Sequence, residues 1–462
     1  MSGYSGVVTK GIYCRPGCSA RPHRRNVRPF PTAAAAEAAG YRACLLCRPY
    51  RSESPLSWSG PELVCRAVQL VLDGGLDDGL TEHDLAAKLG ISARHLRRLF
   101  VEHVGATPDQ LARSRRAHFA RRLLDDTDLT VMQVAFASGF GSVRQLNRAS
   151  HDVFRAAPTA LRGRRRVADR LVADGGLALR LPYRGPLDWD VMLGYFAARA
   201  IAGVEDVSDD TYRRTVEIDG DPGVIELSRG SDEHLLLRMH LPHWEGLIHH
   251  VQRARRIFGL DVDMEAIVER LGGDALLGGL LRARAGVRAP GVWDPFEIGV
   301  RAIIGQQVSV SAANGIVARL VARTGTPVPG LRQHRLTHLF PTPSELARAD
   351  LGGLGLTTAR ARAIGSFARA VVDGQIEFDR SRTLAELTDA ISATAGLGAW
   401  TAHYIALRIG EPDAFPAADV GLQRALGRLT GHAVTTREAV ALAESWRGHR
   451  AHAAAQLWLA SA

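Results

Sequence analysis

The chain has 462 residues, of which 46% are hydrophobic and 23% are charged, and these values are typical of a globular protein with several domains. No apolar run approaches the roughly 18 residues that a membrane span needs. The N-terminal segment also lacks the succession of charged, apolar and small residues that characterises a signal peptide. These features argue against a membrane protein and favour the cytoplasm. The net charge is +10, and residues 1–166 hold 26 Lys and Arg against 14 Asp and Glu. This excess predicts a polyanionic partner, most often nucleic acid, although a solvated basic face would give the same count.

Four of the five cysteines lie within the first 50 residues, in the patterns C-x3-C and C-x2-C, and the fifth is Cys65. Each close pair fits on one turn, and four thiolates complete a tetrahedral zinc shell. A segment so poor in core-forming residues is expected to fold only with metal bound. Residues 1–52 are therefore interpreted as a small module that binds one Zn²⁺ through Cys14, Cys18, Cys44 and Cys47.

The letters around these cysteines, "TKGIYCRPGCSARPHRRNVRPF" and "YRACLLCRP", resemble the N-terminal domain of the Ada adaptive-response proteins. The resemblance implies that Cys14 is also the nucleophile that takes a methyl group irreversibly from a DNA methylphosphotriester. Loss of one thiolate charge on methylation would then weaken repulsion from DNA phosphate and tighten binding. Only 13 residues precede Cys14, so the module is expected to be short at its N-terminus.

A linker-like stretch, "RPYRSESPLSWSGPE", leads into a helical segment over residues 60–163. Within it, "TEHDLAAKLGI" and "TVMQVAFASGF" share one template 49 residues apart. Each opens with Thr followed three residues later by Asp or Gln, which is a capping box, and each places Gly in the turn. The following helices are expected to begin at Ser92 and Ser142. This pattern favours paired helix-turn-helix units over a generic helical hairpin.

Residues 62–161 resemble the AraC-type DNA-binding domain, which is all-α. The resemblance implies a sequence-specific transcription activator that binds promoter DNA, with RNA polymerase as a further expected partner. The second helices of the two units carry the candidate contacts to bases or phosphates, namely Arg94, Arg97, Arg98, Arg144, Gln145, Asn147 and Arg148.

Residues 176–289 contain segments such as "RRTVEI", "GVIELSR" and "HLLLRMHL", which predict strands of an antiparallel sheet. From residue 290 to 460 the pattern is almost wholly helical. The predicted fold class is therefore multidomain and mainly α, with α+β parts. "ATAGLGAWTAHYIAL" places G-L-G between two helices, where backbone amides at a helix N-terminus can bind a DNA phosphate. Asp419, in "FPAADVGLQRAL", could on position alone be a simple helix cap.

Residues 181–459 resemble AlkA, a DNA glycosylase of the helix-hairpin-helix superfamily, through "LPYRGPLDWDVMLGYFAARAIAGVE", "DPFEIGVRAIIGQQVSVSAA" and the hairpin. The resemblance implies that Asp419 is catalytic and stabilises the sugar cation that forms as the flipped alkylated base leaves. It implies Tyr195, Trp400 and Tyr404 as the aromatic walls of the base pocket, although core aromatics would follow the same pattern. His449 stands where a second pocket tryptophan is common. The implied DNA-binding positions are Gly396, Gly398, Thr401 and Gln307, the last in place of a wedging leucine.

Residues 167–462 contain neither lysine nor cysteine. A Schiff base on lysine and an iron–sulfur cluster are therefore not expected. The prediction is a monofunctional glycosylase that releases bases such as 3-methyladenine from double-stranded alkylated DNA. The second methyltransferase domain of Ada is missing, so direct reversal of guanine oxygen alkylation is not expected. Two alternatives stay open: a DNA-binding regulator with an inactive glycosylase half, and a glycosylase whose N-terminal modules only add DNA affinity.

Overall fold

The computed structural model describes residues 3–19, 22–51, 61–77, 79–172 and 175–461. They fall into two compact units: the first comprises residues 1–183, 243–252 and 379–381, and the second comprises residues 184–242, 253–378 and 382–462. Most of the predicted linker, residues 52–60, lies outside the described residues. In the described part of the chain, no helix has both the length and the apolar character that a membrane crossing requires.

The first unit opens with a small sheet whose strands follow the order β3-β1-β2-β4. Helix α1 packs beside it and is capped by Thr32, whose side chain accepts a hydrogen bond from the Ala35 amide. Among the described residues, the buried apolar cluster that includes the cysteines contains Val7, Ile12, Cys14 and Cys44. The elements are β1 (Tyr4–Val7), β2 (Ile12–Cys14), β3 (Val27–Phe30), α1 (Ala33–Ala38) and β4 (Arg42–Ala43).

Within the described residues seven helices follow, and they include the two predicted helix-turn-helix units, α3–α4 and α6–α7. The capping boxes Thr81–Asp84 and Thr130–Gln133 are both present, and Ser92 caps the helix after the first turn. Gly90 and Gly139 adopt positive φ angles of 70° and 76° in the turns, a conformation that glycine adopts at little cost. The helices are α2 (Glu62–Leu72), α3 (Glu82–Lys88), α4 (Ala93–His103), α5 (Pro108–Asp126), α6 (Val131–Ala137), α7 (Val143–Phe154) and α8 (Pro158–Gly163).

An ion-pair cluster joins the segment after the last cysteine to the C-terminal end of α5. Arg51 lies 3.2 Å from Asp125 and 3.3 Å from Asp126, and Arg48 lies 2.6 Å from Asp169. The side chain of Asp125 has 0% exposure. Asp125 also pairs with Arg121 at 2.8 Å and Asp126 with Arg180 at 3.0 Å. Because a buried carboxylate without a cationic partner is costly, Arg51 adds to these pairs in stabilising this end of the helix.

The predicted antiparallel strands are present beyond residue 200. Strands β7 and β8 pair from Thr211↔Ser228 to Ile218↔Asp221, and β8 and β9 pair with a bulge between Arg229 and Ser231. Alternate residues of β8 and β9 point into the core, which explains the apolar alternation in the sequence. The elements are β5 (Leu177–Pro182), α9 (Trp189–Ala197), β6 (Glu205–Ser208), β7 (Thr211–Ile218), β8 (Asp221–Ser231) and β9 (His234–His240).

From residue 290 onward the chain is helical, as predicted, and three further helices, α10 to α12, lie between the sheet and this segment. Helix α13 packs against α14, α16 and α18 in the core of the second unit, and Ile303, Phe367 and Ile405 are fully buried there. The helices are α10 (Leu247–Ile257), α11 (Met264–Leu271), α12 (Gly278–Ala283), α13 (Pro295–Gly305), α14 (Val310–Thr324), α15 (Pro343–Arg348), α16 (Thr358–Val372), α17 (Leu384–Ser392), α18 (Ala399–Arg408), α19 (Val420–Thr430), α20 (Thr436–Ala443) and α21 (Arg450–Ser461).

Candidate active site, thiol centre and nucleic-acid interfaces

Asp419 is the N-cap of α19 and at the same time faces a cavity. Its Oδ1 accepts a hydrogen bond from the Leu422 amide at 3.1 Å. The same oxygen accepts from Trp458 Nε1 at 2.9 Å, and Oδ2 accepts from Trp400 Nε1 at 3.0 Å. Three donors thus fix the orientation of a half-buried carboxylate. The helix cap and the catalytic position, which were alternatives for Asp419 on the sequence alone, are thus compatible in one residue.

The cavity has a volume of about 660 Å³, within the range of about 300–1,000 Å³ typical of ligand sites. Its wall includes the predicted residues Tyr195, Trp400, Tyr404 and Asp419. Aliphatic side chains such as Val287 and Val317 line other parts of the wall. The structure therefore brings Tyr195 together with three residues that follow it by more than 200 positions in the chain.

Three aromatic rings stand beside Asp419. Trp400 and Tyr404 are stacked, with centroids 5.4 Å apart and an interplanar angle of 16°. Tyr404 meets Trp458 edge to face at 6.1 Å. The sequence interpretation missed Trp458 and placed the second tryptophan position at His449, which does not line the cavity. Trp458 lies in the apolar stretch "AAAQLWLAS", where nothing in the pattern distinguishes it from a core residue.

Arginines surround Tyr195. The Arg199 guanidinium lies 4.0 Å from the Tyr195 ring centroid, and Arg408 donates a hydrogen bond to the phenol oxygen. Among the described residues neither arginine has a carboxylate partner, whereas Arg301 pairs with Glu205 at 3.1 Å and with Glu297 at 3.2 Å. Burial raises the pKa of Tyr195, but the nearby guanidinium groups outweigh it and lower the pKa overall. One ring face of this predicted stacking wall is therefore covered by a cation.

The pKa of the neighbouring phenol shifts the other way. Burial, followed by the proximity of Tyr195, raises the pKa of Tyr404 to about 12. Tyr404 therefore remains neutral at physiological pH and presents an uncharged ring beside Trp400, which is suited to stacking against a planar ligand.

The hairpin between α17 and α18 exposes a helix N-terminus. Gly396 has a φ of 89°, and Gly398 caps α18 without a side-chain hydrogen bond. Both glycines are exposed, so the first amides of the helix are open to a phosphate. Thr401 is only 1% exposed, and its hydroxyl accepts a hydrogen bond from Gln306 Nε2 at 3.1 Å. Its side chain is therefore a link within the protein and does not face solvent.

Gln307 lies at the turn between α13 and α14. It is exposed and has a φ of 56°, a left-handed conformation that is uncommon outside glycine. The carbonyl of the preceding residue, Gln306, accepts a hydrogen bond from Arg360. The loop thus holds an exposed polar side chain at its tip.

The second helices of the two helix-turn-helix units present arginines to solvent. Four predicted contacts are exposed and directed outward: Arg94, Arg98, Arg144 and Arg148. Arg98 lies 2.9 Å from Nδ1 of His95, and the remaining three predicted contacts likewise make hydrogen bonds within the protein. Arg97 pairs with Glu82, Gln145 accepts from the Gly141 amide at 2.9 Å, and Asn147 donates to the Val143 carbonyl at 2.9 Å.

The four cysteines near the N-terminus form one cluster, in which all sulfur atoms lie within 4.8 Å of one another. Four thiolates around a zinc ion at about 2.3 Å would lie roughly 3.8 Å apart, so the arrangement fits tetrahedral coordination. A hydrogen bond to Cys47 and burial raise the pKa of Cys14, and the same hydrogen bond chiefly lowers the pKa of Cys47 to about 5. The thiols therefore share negative charge that a cation would balance.

Accessibility differs within the cluster. Cys14 is 2% exposed, and Cys44 is buried as well, whereas Cys18 and Cys47 are half-buried. A methyl transfer to Cys14 therefore requires local opening of the module at this position.

Four family models match the chain. They describe the metal binding domain of Ada (residues 2–50), a helix-turn-helix domain (85–164), the AlkA N-terminal domain (178–294) and the HhH-GPD superfamily base excision DNA repair protein (300–447). The match to the Ada model and the four-cysteine cluster together indicate zinc as the metal.

Two relatives and one solved structure show how far the likeness extends. The probable bifunctional transcriptional activator/DNA repair enzyme AlkA of Mycobacterium tuberculosis is 40% identical over 98% of this chain and 91% of its own length. DNA-3-methyladenine glycosylase 2 of Escherichia coli is 32% identical over 60% of this chain and 95% of its length. The 3-methyladenine DNA-glycosylase from Archaeoglobus fulgidus matches 61% of this chain and 97% of its own with a TM-score of 0.53 and 23% identity, which shows a shared fold.

Proposed function

Because this chain belongs to the family of the bifunctional transcriptional activator/DNA repair enzymes AlkA, we propose that it links repair of alkylated DNA to transcription. The glycosylase half removes alkylated bases such as 3-methyladenine, and the N-terminal half accepts methyl groups from damaged DNA backbone and activates promoters. The functional modules are residues 1–52, 60–163, 176–289 and 290–460. Its substrate is DNA, and its place of action is the cytoplasm.

One observation carries the glycosylase proposal: a carboxylate held by two indole N–H groups at the wall of an aromatic cavity. An alkylated purine is cationic and already a good leaving group, so the reaction needs little general acid catalysis. The flipped base stacks beside Trp400 and Tyr404, while Asp419 stabilises the developing sugar cation and orients the attacking water. The exposed hairpin amides near Gly398 hold a backbone phosphate.

The product of this reaction is an intact abasic strand. Residues 167–462 contain no lysine, so no lysine amine of this half can attack the sugar and open the strand. The same residues contain no cysteine, so the glycosylase half works without an iron–sulfur cluster.

Cys14, Cys18, Cys44 and Cys47 would hold one Zn²⁺, which keeps the thiols deprotonated when bound. The Cys14 sulfur attacks the methyl carbon of a phosphotriester; the S–C bond forms, the C–O bond breaks, and a phosphodiester leaves. The thiolate becomes a neutral thioether, which weakens repulsion from DNA phosphate. The arginines of α4 and α7 then hold promoter DNA, where RNA polymerase is the partner of activation.

The test is incubation with DNA that carries labelled methyl groups on bases and on phosphates. We expect label on free base and label on the protein, with Asp419→Asn losing the first and Cys14→Ala losing the second. No free labelled base from the wild type would leave a DNA-binding regulator as the function. No labelled protein would leave a glycosylase whose N-terminal modules only add DNA affinity.

A further inference from the structure

A buried hydrogen-bonded triad connects the thiol centre to the DNA-binding helices. Tyr13, which precedes Cys14 in β2, is 0% exposed. Its hydroxyl donates a hydrogen bond to Glu37 Oε1 at 2.6 Å. The same hydroxyl lies 2.9 Å from Nε2 of His118, which is 105 residues away on α5. His118 Nε2 also lies 2.7 Å from Glu37 Oε1.

The protons of this triad can be assigned from its donors and acceptors. A phenol has one hydrogen, and Tyr13 uses it on Glu37. The Tyr13 oxygen and the Glu37 carboxylate are then both acceptors toward His118, so Nε2 of the imidazole carries the hydrogen. Each of the three side chains is therefore hydrogen-bonded to both of the others, and removal of one leaves the other two with an unsatisfied polar atom.

Tyr13 is also tied to two of the cysteines through its backbone. It is bonded directly to Cys14, and its carbonyl accepts a hydrogen bond from the Cys44 amide at 3.0 Å. Glu37 lies on α1, which packs against the small sheet. A displacement of the Tyr13 ring therefore shifts the backbone that carries two sulfur atoms of the thiol centre.

The other side of the triad reaches the DNA-reading elements. His118 lies in the middle of α5, the helix that runs between the two helix-turn-helix units. Its imidazole also contacts the ring of Phe154, with centroids 5.9 Å apart. Phe154 is the last residue of α7, the second helix of the second unit. One histidine thus touches both the tyrosine next to Cys14 and the end of a helix proposed to enter DNA.

We propose that Tyr13, Glu37 and His118 are positioning residues for the thiol centre, so that the helical domain completes the methyl-acceptor site. Through this contact α5 holds Cys14 and Cys44 in place. The same contact communicates a change at Cys14 to α7. This inference rests on the proposed acceptor function of Cys14.

The test compares three variants of the full chain: Tyr13→Phe, His118→Leu and His118→Gln. Glutamine can place an amide N–H near the position of the imidazole Nε2, whereas leucine fills the space without a donor. The first measurement is the rate of methyl transfer from methylphosphotriester DNA to Cys14. The second is the rate at which an excess of a chromogenic chelator removes zinc. Base release from methylated DNA by the same samples serves as the control.

We expect Tyr13→Phe and His118→Leu to slow methyl transfer about tenfold or more, because displaced reacting groups lose pre-organisation. Both should release zinc faster than the wild type, whereas His118→Gln should recover most of the wild-type behaviour and base release should not change. Wild-type rates of transfer and zinc release in His118→Leu would overturn the proposal, as would a His118→Gln variant no better than His118→Leu. If the wild type accepts no methyl group, the acceptor function fails, and zinc release alone decides the role of the triad.

Discussion

Replacement of Asp419 by asparagine is the most direct test of the glycosylase site. Asparagine is as good an N-cap as aspartate, so α19 should keep its start. The amide retains one oxygen that can accept from Leu422 and Trp458, but its NH₂ group meets the indole donor of Trp400. The change therefore removes the negative charge beside the cavity with little change in shape.

The expected loss follows from electrostatics. Two unit charges about 4 Å apart interact by about 4 kcal/mol at an effective dielectric constant of about 20. Full loss of this term would slow the reaction roughly 1,000-fold, since each 1.36 kcal/mol corresponds to a factor of about ten. The three hydrogen bonds withdraw part of the charge from the carboxylate, so we expect a loss on the order of 100-fold or more, the scale of one pre-organised stabiliser.

The assay is single-turnover release of 3-methyladenine from methylated duplex DNA, with DNA binding measured in parallel. Asp413→Asn is the matched control, because Asp413 lies in the same loop, accepts from the Gly448 amide at 2.5 Å and does not line the cavity. We expect Asp413→Asn to release base at nearly the wild-type rate and Asp419→Asn to bind DNA nearly normally. An Asp419→Asn variant with the wild-type rate would reduce Asp419 to a helix cap.

Four further outcomes are expected. Metal analysis should find one zinc per chain in the wild type and a loss of zinc in the Cys44→Ser/Cys47→Ser double variant; full retention would contradict the site. Arg94→Ala or Arg144→Ala should weaken promoter binding, and binding should fall steeply with salt because phosphate contacts release counterions. Methylation of Cys14 should strengthen promoter binding, because it removes one negative charge. Equal affinity of the methylated and unmethylated protein would refute this effect of charge. Arg51→Met should destabilise the first unit by up to about 3 kcal/mol in thermal unfolding, since it removes one of the cationic partners of buried Asp125 and Asp126, which keep Arg121 and Arg180; an unchanged unfolding temperature would contradict this. Purified wild type should leave abasic strands that break only after alkali, and nicking without alkali would require an unidentified nucleophile.

Features encoded in short stretches could be predicted from the sequence. The Thr81 and Thr130 capping boxes and the strands after residue 210 depend on neighbouring residues, and the structure confirms them. The cysteine cluster was predictable because thiolate spacing reflects coordination geometry.

Contacts between distant residues could not be predicted. The bonds from Trp458 to Asp419 and from His118 to Tyr13 bridge 39 and 105 residues. No local pattern distinguishes these side chains from ordinary core residues. The same limit applies to Tyr195, whose ring was expected to be a free stacking wall but carries Arg199 on one face.

The acidic end of α5 has a consequence for how this protein can be divided. A helical fragment that begins at Glu62 would keep Asp125 and Asp126 but lose Arg48 and Arg51, which lie before the junction at 52–60. Burial raises the pKa of Asp126, and the nearby Arg51 is one of the cations that oppose this rise. Without Arg51 the pKa of Asp126 would rise further, so the stability of such a fragment should decrease as the pH rises toward neutrality. A gene rearrangement that separates the two segments would cause the same loss of stability. The metal-binding module and the promoter-binding helices are therefore expected to be inherited together in gene fusions. The junction at residues 52–60 separates them in the sequence, but it does not mark the boundary of an independently stable fragment.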